Sequence, residues 1–159
     1  MKFRFPIVII DEDFRSENTS GLGIRALAQA IESEGYEVMG VTSYGDLSQF
    51  AQQQSRASAF ILSIDDEEFT PGPDLDPAVV NLRSFIDEVR RKNTDVPIYV
   101  YGETKTSRHL PNDILRELHG FIHMFEDTPE FVARHIIREA KSYLEGVQPP
   151  FFKALLDYA

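Results

Sequence analysis

The sequence has no cysteine. That excludes a disulfide framework and any chemistry built on a thiolate, and it fits a reducing compartment. No apolar run approaches transmembrane length, and Met1 to Pro6 carries no signal-peptide pattern. The expectation is a cytoplasmic protein with no membrane partner. Basic residues are scarce: 16 Lys and Arg stand against 26 Asp and Glu, a net charge of −10. A surface of that sign repels phosphate backbones and anionic lipid, so nucleic acid is not an expected partner. It also means that acid removes much of the self-repulsion between copies. A glycine-rich phosphate cradle is missing as well. Gly21-Leu22-Gly23 is too short for a dinucleotide fingerprint, and residues 11–18 (Asp-Glu-Asp-Phe-Arg-Ser-Glu-Asn) are acidic, which sets flavin aside. No nucleophile–base pattern appears. The histidines His109, His119, His123 and His135 share no helix face and no cysteine joins them, so they read as surface or half-buried side chains rather than metal ligands.

What remains is an ordinary globular composition, 42% apolar and 26% charged, in 159 residues, which suffices for one domain with a proper core. Phe5 to Ile10 is an apolar run suited to a strand buried on both faces, closed by Asp11-Glu12-Asp13. Thr19 or Ser20 is placed to cap a helix with Ile24, Leu27, Ala28 and Ile31 on one face, ended by Gly35. A second strand follows over Tyr36 to Thr42. A short helix begins at Ser43, with Leu47, Phe50 and Ala51 inward, and a third strand spans Ala59 to Ile64, closed by the acids of 65–68. After a Pro/Gly-rich loop, Asp76 caps and Pro77 opens a helix lined by Val79, Leu82, Phe85, Ile86 and Val89. Arg90-Arg91-Lys92 at its end reads as helix-dipole complementation on a solvated face, with an anion site as the alternative. Val96 to Tyr101 is the fourth strand. Pro111 starts a helix with Ile114, Leu115 and Leu118, ended by Gly120; Phe121 to Phe125 is the fifth strand. Thr128 caps and Pro129 opens a last helix with Ala133, Ile136, Ile137, Ala140 and Leu144 inward.

Five alternations of strand and helix imply right-handed crossovers and a parallel sheet covered on both faces. The expected class is α/β, a doubly wound five-stranded sheet in the flavodoxin- and receiver-like order 2-1-3-4-5, followed by a C-terminal linker helix. The one candidate boundary lies near Gly146, dividing 1–146 from 147–159. There, Gly146 is expected to stop the helix and Pro149-Pro150 to hold the chain extended. Phe151, Phe152, Leu155 and Leu156 then form an apolar stripe at one-turn spacing. That stripe reads as a docking interface for something beyond this chain; folding back onto its own domain is the alternative.

In such a fold ligands sit beyond the carboxyl ends of the strands. The acids there, Asp11 and Glu12 after the first strand and Asp65 after the third, resemble the phospho-acceptor pocket of response-regulator receiver domains. The resemblance implies a phosphorylated Asp65. Two departures weigh against it. Tyr101 and Gly102 stand where a receiver has a small hydroxyl residue. Met124, Phe125 and Glu126 stand where it has a lysine, and a carboxylate there repels a phosphoryl group. The pocket is therefore read as a pseudo-receiver.

Three stretches taken together carry a second resemblance. They are Val-Pro-Ile-Tyr-Val-Tyr-Gly-Glu (96–103), Gly-Phe-Ile-His-Met-Phe-Glu-Asp-Thr (120–128) and Gln-Pro-Pro-Phe-Phe-Lys-Ala-Leu-Leu-Asp-Tyr (148–158). The combination is similar to the N-terminal region of the bacterial ornithine/lysine/arginine decarboxylases, fold-type I enzymes that use pyridoxal phosphate. The likeness covers essentially the whole chain. It implies a flavodoxin-like wing without catalytic or cofactor-binding residues, whose linker leads into a cofactor domain. It further implies partners: that pyridoxal phosphate domain, and other subunits, with dimers building to decamers. The chain has no Ser-x-His-Lys segment for a Schiff-base lysine and no phosphate-cup glycines. No catalytic, cofactor or metal residue is therefore carried over.

Overall fold

The computed structural model describes residues 5–42, 57–64, 77–92, 95–103, 110–124 and 126–147. Five strands form one parallel sheet: β1 (Ile7–Ile10), β2 (Val38–Val41), β3 (Ala59–Ser63), β4 (Ile98–Gly102) and β5 (Gly120–His123). Their order is β2-β1-β3-β4-β5. The described helices are α1 (Thr19–Ser33), α2 (Pro77–Lys92), α3 (Asn112–Leu115) and α4 (Pro129–Val147). This is the expected doubly wound α/β arrangement.

Alternation along the strands divides the interior into two layers. Ile7, Ile9, Ala59, Ile61, Tyr99, Tyr101 and Ile122 face one side. There they meet Ile24, Leu27, Ala28 and Ile31 of α1 and Ala133, Ile136, Ile137 and Ala140 of α4. Val8, Ile10, Leu62, Ile98 and Val100 face the other side, against Val79, Leu82, Phe85 and Ile86 of α2 and Ile114 of α3. β1 is buried at all four positions because it has strands on both edges and helices over both faces. At about 1.5–3 kcal/mol per fully buried large apolar side chain, these two layers are the main source of stability.

Several boundaries differ from the sequence reading. The cap of α1 is Asn18, whose side chain accepts the Gly21 amide at 2.8 Å; Thr19 is the first helical residue. Asn is as good an N-cap as Ser and better than Thr, so the residue before the two expected, Thr19 and Ser20, takes the role. Gly35, at φ 90°, follows the helix as expected. Pro111 is the N-cap of α3 rather than its first residue, and α3 is a single turn. Leu115 is exposed rather than core, while Ile114 is buried. Gly120 opens β5 instead of closing a helix. Gly146 does not stop α4, which runs through it to Val147. The helix expected from Ser43 and the stripe Phe151, Phe152, Leu155 and Leu156 lie outside the described residues, as does the linker helix.

Candidate functional site

The carboxyl ends of β1, β3, β4 and β5 meet at one rim of the sheet. Asp11 follows β1 there and is 3% exposed. Its amide donates to the Val41 carbonyl at 3.0 Å, and its carbonyl accepts the Phe14 amide at 3.0 Å. Its Oδ1 accepts the Asp13 amide at 2.8 Å. Ser63, the last residue of β3, hydrogen-bonds the same carboxyl group. Oδ2 is buried with no partner. Burial pushes the Asp11 carboxyl up to about 6, and the neighbouring charges of Asp13 and Glu12 add to that rise, while the Asp13 amide and Ser63 oppose it.

The other acids of the pocket do different work. Glu12 is exposed. Asp13 is structural: its Oδ1 accepts the Asn18 amide nitrogen at 3.2 Å and the Ser16 hydroxyl at 3.4 Å. Residue 64, the first after β3, is Ile64, buried in the second apolar layer. Asp65 comes one position later and lies outside the described residues. Tyr101 and Gly102 end β4 and are both buried. Beyond β5 the Met124 amide donates to the Gly102 carbonyl at 2.8 Å. The His123 amide and ring Nδ1 both meet Asp127 Oδ2, at 2.8 and 3.3 Å. So the place a receiver gives to a lysine holds Met124 beside a His–Asp pair. The structure brings Asp11, Glu12 and Asp13 onto one loop, but supplies no hydrogen-bonded cation to Asp11 among the described residues.

The loop from β1 to α1 is closed on itself. Arg25 of α1 sends Nη1 to the Phe14 and Ser16 carbonyls, 2.7 Å each. The Phe14 ring lies over Gly40 of β2, where any Cβ would overlap it. Gly21 is needed for a similar reason: a Cβ there would run into the Ser16 and Asp13 carbonyls. An acidic loop filled by its own hydrogen bonds does not fit an anionic cofactor such as pyridoxal phosphate.

Sequence reasoning missed two constellations at the opposite rim. Arg90 is no solvated dipole charge: its side chain is 15% exposed. It donates to Glu117 Oε2 at 2.8 Å, the Glu117 carbonyl at 2.8 Å and the Val96 carbonyl at 2.9 Å. It thereby ties α2 to the segments on either side of β4 and α3. A basic residue at a helix end, with an acid shortly before the last sheet strand, is a signal compatible with this clamp. Tyr99 gathers two histidines, His119 at 6.2 Å and His135 at 5.9 Å between ring centroids. Partial desolvation holds His119 below the usual histidine value, and Arg90 acts in the same direction. Among the described residues no group of three or more His, Cys, Asp or Glu side chains is placed to hold a metal ion. His109 lies outside them. No described helix is long and apolar enough to cross a membrane.

Comparison with known proteins points the same way over most of the length. Lysine decarboxylase LdcA of Pseudomonas aeruginosa is 28% identical over 158 residues, covering 98% of this chain and 20% of the relative. The biodegradative arginine decarboxylase of Escherichia coli is 24% identical over 96% of this chain and 20% of its own length. The chain thus spans about a fifth of the curated relatives it matches. The solved structure of the Pseudomonas lysine decarboxylase superposes over 99% of this chain with a TM-score of 0.82 and 25% identity. A response regulator receiver domain from Clostridium thermocellum superposes over 87% of this chain and 96% of its own length, with a TM-score of 0.60 and 10% identity, which is a likeness of fold alone. The model of the Orn/Lys/Arg decarboxylase N-terminal domain matches residues 19–143, and the chain belongs to that family.

Proposed function

We propose that this chain is the N-terminal assembly and regulatory domain of a decarboxylase of lysine, arginine or ornithine. In this reading it promotes oligomerisation of a cytoplasmic, pyridoxal phosphate-dependent parent enzyme, and acid favours that assembly. Its 159 residues supply no catalytic group; substrate and cofactor belong to a further domain, to which residues 147–159 lead. Phe151, Phe152, Leu155 and Leu156 provide the apolar surface for docking there or onto other subunits.

The observation that carries this reading is the match to decarboxylases along nearly all of this chain but a fifth of theirs, together with family membership over 19–143. The test is the reading frame downstream of Ala159 in the genome. A continuing frame that encodes a Schiff-base lysine is expected; a stop codon there would remove the parent enzyme.

The receiver-like fold supports a second reading, a free-standing signalling domain phosphorylated at Asp65. Ile64 in the core and Met124 beyond β5 count against it. Incubation with a small phosphodonor and magnesium, followed by intact mass, separates the two. No adduct is expected. A stable adduct lost in Asp65→Asn would favour the signalling domain.

A further inference from the structure

Asp11 is the one buried carboxyl among the described residues. It is also the first link of the loop that closes over the β1–α1 rim. The turn begins with Oδ1 on the Asp13 amide and the Asp11 carbonyl on the Phe14 amide, and the Ser16 amide continues it onto the Asp13 carbonyl. Phe14 then seats on Gly40, and Arg25 fastens the far side. Asp11 Oδ2 is the one buried side-chain polar atom of this described loop with no partner. Ionised, the group keeps the Asp13 amide and Ser63 as donors but leaves charge on a buried Oδ2 that no protein donor meets, whereas the neutral acid does not.

We propose that the β1–α1 loop is a proton-operated latch: one proton on Asp11 holds the loop shut with Phe14 on Gly40, and loss of that proton frees it. Of the groups facing Asp11, the acidic neighbours and burial favour this direction, and the Asp13 amide and the Ser63 hydroxyl oppose it without outweighing it. Glu12 and Asp13 of its own loop are acidic. From β3 comes the neutral Ser63 hydroxyl, and from β2 only the Val41 carbonyl, which takes the Asp11 amide. Arg25 of α1 lies on the Phe14 and Ser16 carbonyls, not on the carboxyl.

The sign follows from linkage. In the closed loop Asp11 titrates near 6, and in an open, solvated loop near its ordinary 3.8. The closed form is thus favoured as pH falls through about 6, and the advantage is lost as pH rises above it. Between pH 7.5 and pH 5 the closing equilibrium should change roughly tenfold.

Amide hydrogen exchange on the 159-residue chain, read by NMR and corrected for the intrinsic pH dependence, tests this. The Asp13, Phe14 and Ser16 amides should gain about tenfold protection from pH 7.5 to pH 5. The Phe60 amide, bonded in the sheet to the Pro97 carbonyl, should not follow them. In Asp11→Asn the three loop amides should keep the low-pH protection at both pH values. Flat protection in the natural chain, or a rise that survives Asp11→Asn, would overturn the latch. If that variant does not fold, the carbon-13 titration of the Asp11 carboxyl in the natural chain decides. Its midpoint must coincide with that of loop protection, and a carboxyl that titrates without moving the loop also overturns it. The latch does not depend on the decarboxylase reading.

Discussion

Asp11 carries a definite part of the pH dependence of stability. Its carboxyl lies above the ordinary value because burial disfavours the charge. A raised acid contributes stability that is fully present below 3.8 and lost as pH rises through about 6. Asp11→Asn should therefore stabilise the chain at pH 8, by up to about 3 kcal/mol on the linkage arithmetic. The gain should shrink steadily toward pH 5. Urea unfolding at the two pH values measures it; equal effects at both would contradict the assignment. His119 works the other way, since a lowered histidine loses stability as acid charges it. Arg90 is the second residue with a clear consequence. Arg90→Ala leaves the Val96 and Glu117 carbonyls without their donor and should cost about 2 kcal/mol or more in urea unfolding. Arg90→Lys should rescue little, because an ammonium does not reproduce the three-way fork. The position of Asp11 was legible in the sequence, as an acid following an apolar run. Its burial was not, because that depends on a loop folding back over Gly40, which is distant in sequence.

At the scale of elements, hydrophobic period placed every described strand and helix, because each alternates or repeats against a layer it must fill. Ends were harder, since they depend on local hydrogen bonds that compete among neighbours. Asn18, Thr19 and Ser20 are three plausible caps in a row, and only the Gly21 amide, bonded to Asn18, distinguishes them. Asn18→Ala should lower stability by about 1 kcal/mol. Gly146 misled in the opposite sense: glycine is tolerated within a helix at a cost of about 1 kcal/mol against alanine, and α4 has layers of packed residues to offset it. Gly21→Ala is the sharper probe of the β1–α1 segment. A methyl group there meets two backbone carbonyls that no side-chain rotation moves away. It should unfold the loop or the chain, seen as lost protection of the Phe14 and Ser16 amides; an unperturbed spectrum would contradict the close approach.

At the scale of the whole molecule the dominant property is charge. Twenty-six acids against sixteen bases make two copies of this domain repel each other at neutral pH. Acid reduces that repulsion by protonating carboxylates and charging histidines, and salt reduces it by screening. On the proposed reading, high salt at neutral pH should act like acid on assembly of a parent decarboxylase, and light scattering would show it. The acid runs 11–13 and 65–68 are the natural sites to neutralise, with Asp65→Asn and Glu67→Gln. Variants so neutralised should assemble at higher pH, and an unchanged threshold would move the switch elsewhere. The fold and family were legible in the sequence at this scale, from strand–helix alternation and from the stretches 96–103, 120–128 and 148–158. The most direct measurement is the sedimentation mass of the enzyme expressed from the complete reading frame, with and without residues 1–146, from pH 8 to pH 5. The intact enzyme should grow to large oligomers as pH falls while the shortened enzyme stays dimeric throughout. Equal masses for the two at every pH would contradict it.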